Sequence, residues 1–413
     1  MAVGPATESE RILALDALRG LGVLGILVMN IESFGRVGAE YVNPTAVQPL
    51  AGSDFWMWLA SALFVDEKFM GIFSMLYGAG IVLLTSRIEA RGRKPAVIFV
   101  RRSAWLALFG LMHAYLLWSG DILFTYGICG LLVYPFRRLS PRRLLVMGLL
   151  VMVFGSGLSI MTGWSMQFWP PQDAASFEQS VWRPTPEQAN SEIAAYRSGW
   201  LGQMKKRVQD AETVETYGLA TYYLWRAAGL MLVGMALYKW GVLTASRSQR
   251  FYLAWVWAGP LIGVPVILYG AWRDIQVRWN FRDSFFFDAQ FNYWASPLLS
   301  MAWVSLVMLA CRAPAWRARM RGLAAVGRMA FSNYILETLL CTTIFYGHGL
   351  GLFARLDRVE SGAIVVAVWV VVFLFSQVWM RSFYFGPLEW LWRSLTYMEH
   401  EPLRRPLARA QTV

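Results

Sequence analysis

Apolar runs recur from one end of this chain to the other, among them LRGLGVLGILVMNI from Leu18, LLVMGLLVMVFGSGLSIM from Leu144 and AIVVAVWVVVFLFSQVWM from Ala363. As helices, runs of about 20 residues cross the roughly 30 Å hydrocarbon core of a bilayer. Lipid offers no partner to a backbone amide, and a helix satisfies its amides internally. Only 15% of the residues are charged and 57% are hydrophobic, whereas soluble domains carry about 25% charged residues. The expectation is an all-α, polytopic membrane helical bundle forming a single transmembrane domain over 1–413.

Ten spans are predicted, at 12–34, 67–86, 103–119, 121–136, 144–166, 218–240, 251–271, 291–311, 323–346 and 362–384. The net charge of +12 could suggest nucleic acid. The basic residues fall in short loops between spans, however, where membrane orientation explains them. Arg87, Arg91, Arg93, Lys94, Arg101 and Arg102 follow the second span, and Arg137, Arg138, Arg142 and Arg143 follow the fourth. Further clusters follow the sixth and eighth. With ten spans all these loops share one side, which the positive-inside rule makes cytoplasmic together with both termini. Asp16 and Arg19 in the first apolar run argue against a cleaved signal peptide.

The longest outside loop is 167–217, a candidate lid, in which 193–217 could form an amphipathic helix along the interface. Residues 385–413 form a cytoplasmic tail whose Trp390, Trp392 and Tyr397 suit an interfacial anchor helix. Cys129, Cys311 and Cys341 show neither a CxxC pair nor metal-ligand spacing, so no metal is expected.

Polar side chains inside the apolar runs are functional candidates, because lipid penalises them. Asp16 and Arg19 share a helix face, and Asn30 lies about 20° off it and roughly 16 Å further along. Gly20, Gly22 and Gly25 allow a neighbouring helix close approach. Glu67 sits among aromatic residues at the outer start of the second span. His113 lies in FGLMHAYLLWSGDIL, before a Ser-Gly-Asp turn whose Asp121 is a natural N-cap for the next helix. Neutral imidazole takes up a proton near neutral pH, which suits a general base; a histidine that only bonds to another helix is the competing reading. Arg226 lies in the sixth span. Asn333 and Glu337 are four residues apart on one face of the ninth, and an Arg226–Glu337 pair is expected.

Taken in order, LDALRGLGVLGILVMNI, FVDEKFMGIFSMLYGAG, FGLMHAYLLWSGDIL, GRMAFSNYILETLL and FGPLEWLWRSLTY resemble the YeiB-like family of bacterial membrane proteins, over about 14–397. That family resembles the transmembrane acyltransferase superfamily, which includes envelope-sugar acyltransferases and the lysosomal heparan-alpha-glucosaminide N-acetyltransferase. The resemblance implies a cytoplasmic acyl-CoA donor, acetyl-CoA foremost, and an envelope sugar or lipid acceptor on the far side. The envelope-sugar enzymes carry an arginine and then, after ten residues, a histidine on the first helix. Arg19 matches, but Asn30 stands where the histidine would be. The lysosomal branch places its histidine just after that helix, and here 32–64 contains none.

His113 is therefore the expected replacement base, its ring oriented by Glu67 or Asp121, with Asn30 as an oxyanion donor. Arg101 and Arg102 would attract the donor phosphates. Asp16, Arg19, Arg226, Asn333 and Glu337 are the remaining candidate binding residues. Membrane lipid is an expected partner, and a homodimer is allowed. The alternative function is a transporter or flippase, with Asp16, Arg19, Arg226 and Glu337 lining a path; no inverted repeat supports it.

Overall fold

The computed structural model describes residues 12–405. They form an all-helical bundle, in chain order α1 (Leu13–Gly35), α2 (Gly52–Phe64), α3 (Lys68–Ala90), α4 (Pro95–Leu116), α5 (Leu123–Val133), α6 (Pro141–Ser165), α7 (Pro171–Val181), α8 (Pro186–Tyr196) and α9 (Met204–Thr213). There follow α10 (Leu224–Lys239), α11 (Gln249–Gln276), α12 (Ala289–Arg312), α13 (Arg317–Arg328), α14 (Ala330–Phe345), α15 (Arg358–Ser382) and α16 (Pro387–Tyr397). Widened π-helical turns precede α10 and α12, at Val214–Tyr223 and Arg282–Asp288.

Among the described residues seven helices are long and apolar enough to cross a membrane, not ten. The predicted spans at 121–136, 218–240 and 323–346 fall short for three reasons. Helix α5 has eleven residues, which reach about 16 Å. Helix α10 has sixteen and carries Arg226. The run at 323–346 is broken at Met329 into α13 and α14. Protein covers part of each run, although Leu132 of α5 and Leu339 of α14 are exposed, and composition does not separate cover by protein from contact with lipid.

Helices α1 and α3 are mostly buried inside the bundle, while α6, α11 and α15 turn most of their surface outward. Two close crossings fix the centre. A Cβ on Gly20 of α1 would meet the Leu323 carbonyl oxygen at 2.0 Å, and one on Gly327 of α13 would meet the Asp16 carbonyl oxygen at 1.8 Å. Gly78 of α3 and Gly234 of α10 stand in the same reciprocal relation to Met231 and Met75. Only glycine lets these backbones touch, a packing device of membrane helices.

The segment 193–217 differs from the single amphipathic helix expected there, because the chain breaks between α8 and α9. The break docks it onto the end of α4. Trp200 Nε1 donates to the Leu116 carbonyl at 2.8 Å, and Arg207 Nε donates to that of Tyr115 at 3.0 Å. These carbonyls belong to the last turn of α4, which has no partners within its own helix.

Candidate functional site

His113 lies three residues before the end of α4 and is 3% exposed. Asp121 stands in the loop between α4 and α5. Its Oδ1 is 2.8 Å from His113 Nδ1, and its Oδ2 accepts from the Phe124 N–H at 2.7 Å. The carboxylate therefore serves the start of α5, as the sequence suggested, and orients the ring as well. Glu67 plays no part in that orientation.

On the other side of the ring, His113 Nε2 is 3.0 Å from Thr338 Oγ1, and the same hydroxyl reaches the Tyr334 carbonyl at 3.1 Å. Thr338 has one proton to give. Given to Nε2, it leaves the ring neutral. Given to the Tyr334 carbonyl, it leaves Nε2 to donate, and the ring is then an imidazolium beside a carboxylate.

A cavity of about 360 Å³ runs toward this pair from the arginine-rich end of the bundle. Arg19, Arg87, Arg91, Arg102, Arg328 and Arg393 stand on its wall, with Asp16 and Glu389. On α3 the wall extends from Phe73 to Ile88, about 22 Å along the axis. Its deep part is apolar and ends among Ile122, Tyr126 and Tyr334. His113 is not on the wall. Tyr334 is, and its ring lies 5.0 Å from the imidazole. Tyr126 is fixed by Ser74 Oγ, 3.0 Å from its hydroxyl.

The other candidates divide. Asp16 and Arg19 pair at 2.7 Å on the cavity wall. Asn30 is half-buried beyond Ile26, the last α1 residue on that wall. Arg102 is on the wall, with its guanidinium 3.6 Å over the Trp392 ring. Its neighbour Arg101 instead donates to the Thr396 carbonyl at 3.1 Å and holds α16 in place. Asn333 is buried and donates to the Val326 carbonyl and to Ser376 Oγ.

The expected Arg226–Glu337 pair does not form. Arg226 pairs with Glu67 at 2.8 Å and donates to the Tyr293 carbonyl at 2.7 Å. Glu67 also accepts from the Tyr222 hydroxyl at 2.7 Å. The backbone explains the choice of partner: Glu67 sits between α2 and α3 with φ 63°, a left-handed turn that ends one helix and begins the next. Glu337 is 2% exposed, and its Oε1 has no hydrogen-bond partner among the described residues. The Arg226–Glu67 pair is structural in form, with both ends tied to neighbouring helices.

Sequence reasoning missed Thr338 and Tyr334, although both stand in a quoted stretch. It also missed Glu215, in the π-helical turn before α10. Burial and the nearby Asp121 charge push the Glu215 carboxyl up to about 7. Among the described residues no group of three or more His, Cys, Asp or Glu side chains could hold a metal ion.

The chain is 33% identical over 394 residues to the uncharacterized protein YeiB of Escherichia coli (strain K12), covering 94% of this chain and 96% of that one. It belongs to the YeiB family. Another relative is the uncharacterized protein YxaH of Bacillus subtilis (strain 168), 31% identical over 424 residues, with 97% of this chain and 98% of that one covered. An uncharacterized 39.9 kDa protein of Bacillus acidopullulyticus is 26% identical over 400 residues, with 97% of each covered. DUF418, a family described as a protein of unknown function, matches residues 237–399. In this YeiB-family chain that region holds Tyr334, Thr338, Glu389 and Trp392, while His113, Asp121 and Glu67 lie before it. The candidate site is thus assembled across the boundary of the matched region.

Proposed function

We propose that this polytopic membrane protein transfers an acyl group from acyl-CoA, held at the arginine-rich end, to an envelope sugar or lipid acceptor arriving from the opposite side. The arginine-rich end and both termini face the cytoplasm in this reading, and the membrane is the bacterial inner membrane. One observation carries it: an arginine-mouthed, apolar-floored cavity ends at Tyr334, the residue that packs on a carboxylate-held histidine.

The residues suit the donor. Arginine guanidinia pair with phosphate in bidentate fashion, and six of them ring the mouth. The volume lies within the range of small-molecule pockets and suits the thioester arm rather than the whole nucleotide, which would stay at the mouth. His113 Nε2 takes the proton of an acceptor hydroxyl or amine. The acceptor oxygen or nitrogen bonds to the thioester carbonyl carbon, the C–S bond breaks, and the proton returns to the departing thiolate. Asp121 keeps Nδ1 protonated and stabilises the imidazolium. Tyr334 sets access between the cavity and the ring.

The test is a thermal shift of detergent-purified protein with acetyl-CoA and longer acyl-CoAs, with free coenzyme A as control. A ligand that binds only the folded state raises the melting temperature by mass action. A shift that Arg102→Ala removes supports the reading. Cooperative melting with no shift for any thioester refutes it.

A further inference from the structure

A second recess lies on the outside of the bundle, next to the cavity described above. Helix α13 lies across α1 and α15 and leaves a groove of about 700 Å³ on the surface. Gln377 Nε2 of α15 donates to the Gly322 carbonyl of α13 at 2.8 Å and sets the spacing of the two helices. The groove is lined by Arg319, Arg321, Arg328 and Arg381, and by apolar side chains that include Leu24 and Phe373. Among the described residues no acidic side chain lines it. Arg319, Arg321 and Arg381 are exposed, and none of them forms an ion pair among the described residues.

The order of these side chains along the helices matters. Arg381 belongs to the last turn of α15, while Phe373 lies eight residues earlier, about 12 Å further into the bundle. Leu24 lies in the middle of α1. Gly322, next to Arg321, packs against the Phe373 ring, so the arginines of α13 flank the apolar wall and Arg381 stands at its end. A free anion would use only the arginines, and a neutral lipid would leave them without counter-charge. A lipid with an anionic headgroup uses the whole length, in the manner of basic recesses between membrane helices.

We infer that this groove binds one anionic phospholipid, with its phosphate on Arg319, Arg321 and Arg381 and an acyl chain along Phe373 and Leu24. Arg328 is shared with the wall of the central cavity, so the lipid site abuts the donor side without being part of it. The inference does not depend on acyl transfer.

The experiment is native mass spectrometry and thermal shift on the full detergent-purified chain. The probes are dioleoyl phosphatidylglycerol, dioleoyl phosphatidylcholine and, as a free headgroup, glycerol 3-phosphate. Phosphatidylglycerol should give a one-lipid adduct and a melting shift that phosphatidylcholine does not. The triple variant Arg319→Ala, Arg321→Ala, Arg381→Ala, with Arg328 intact, should bind it roughly tenfold or more weakly while melting cooperatively. If the triple variant does not fold, Arg321→Gln alone should weaken the same adduct. Equal shifts with the two lipids, or unchanged binding by the folded variants, would overturn the proposal. A full shift from glycerol 3-phosphate alone would overturn it too, by assigning the site to a free phosphate ester.

Discussion

Asp121 holds the His113 ring with one carboxylate oxygen, at 2.8 Å, and the first turn of α5 with the other, at 2.7 Å. One side chain thus fixes both the tautomer of the candidate base and the geometry of the turn beside it. The substitution Asp121→Asn keeps the size and loses the charge. It should lower acyl transfer by about 10²–10⁴-fold, the range of general-base contributions, and cost only about 1 kcal/mol through the weakened cap. His113→Ala should abolish transfer. Radiolabelled acyl transfer alongside melting curves checks both, and full activity in either variant would sink the mechanism.

Removing one partner of a buried ion pair leaves the other charge uncompensated, at about 3–5 kcal/mol. Glu67→Gln should therefore lower the melting temperature sharply, because Arg226 is fully buried. Glu337→Gln should barely move it, because no cation depends on Glu337. The reverse order in thermal melts would show that the pairing is misassigned.

Glu215 lies outside the seven candidate spans, and its carboxyl is pushed up from 4.5 to about 7. The folded chain then binds this proton more tightly than the unfolded chain does. Its contribution to stability is full below 4.5 and is lost as pH rises through about 7. Glu215→Gln should flatten that fall. The readout is the difference in melting temperature between pH 5 and pH 8, wild type against variant; identical differences would refute the assignment.

Gly78→Ala places a methyl group where the Met231 carbonyl oxygen stands, 1.9 Å from the ideal Cβ position. The α3–α10 crossing must open. The expected loss is about 3 kcal/mol, at the upper end of overpacking costs. Gly80→Ala, whose Cβ meets nothing within 4 Å, is the control and should melt close to wild type. Equal melting of the two variants would contradict the crossing.

Local chemistry was legible in the sequence, and distant chemistry was not. His113 and Asp121 stand eight residues apart across one turn, so the sequence put Asp121, with Glu67 as the alternative, among the groups that could orient the ring. Thr338 meets the same ring from 225 residues away, and no spacing encodes that. Arg226 had two acids to choose from. The left-handed turn at Glu67 settled the choice, and nothing in the letters FVDEKF announces such a turn. Arg101 and Arg102 look equivalent in sequence, but adjacent helix positions point about 100° apart, and only Arg102 reaches the cavity. The class of the fold was plain from the apolar runs. The number of spans was not, because a helix buried in protein is as oily as one buried in lipid.

The Glu389 carboxylate accepts from the backbone N–H groups of Phe331 and Ser332 and from the Ser332 hydroxyl. It rivets α16 to the first turn of α14. Thr338 stands six residues up the same helix, about 9 Å away, a distance over which a helix behaves as a rigid rod. Trp392 and Arg393 of α16 meanwhile form part of the cavity mouth. A molecule that shoulders α16 aside at the mouth therefore tugs the hydroxyl that meets His113, so the threshold and the far wall of the chamber hang on one hinge-pin.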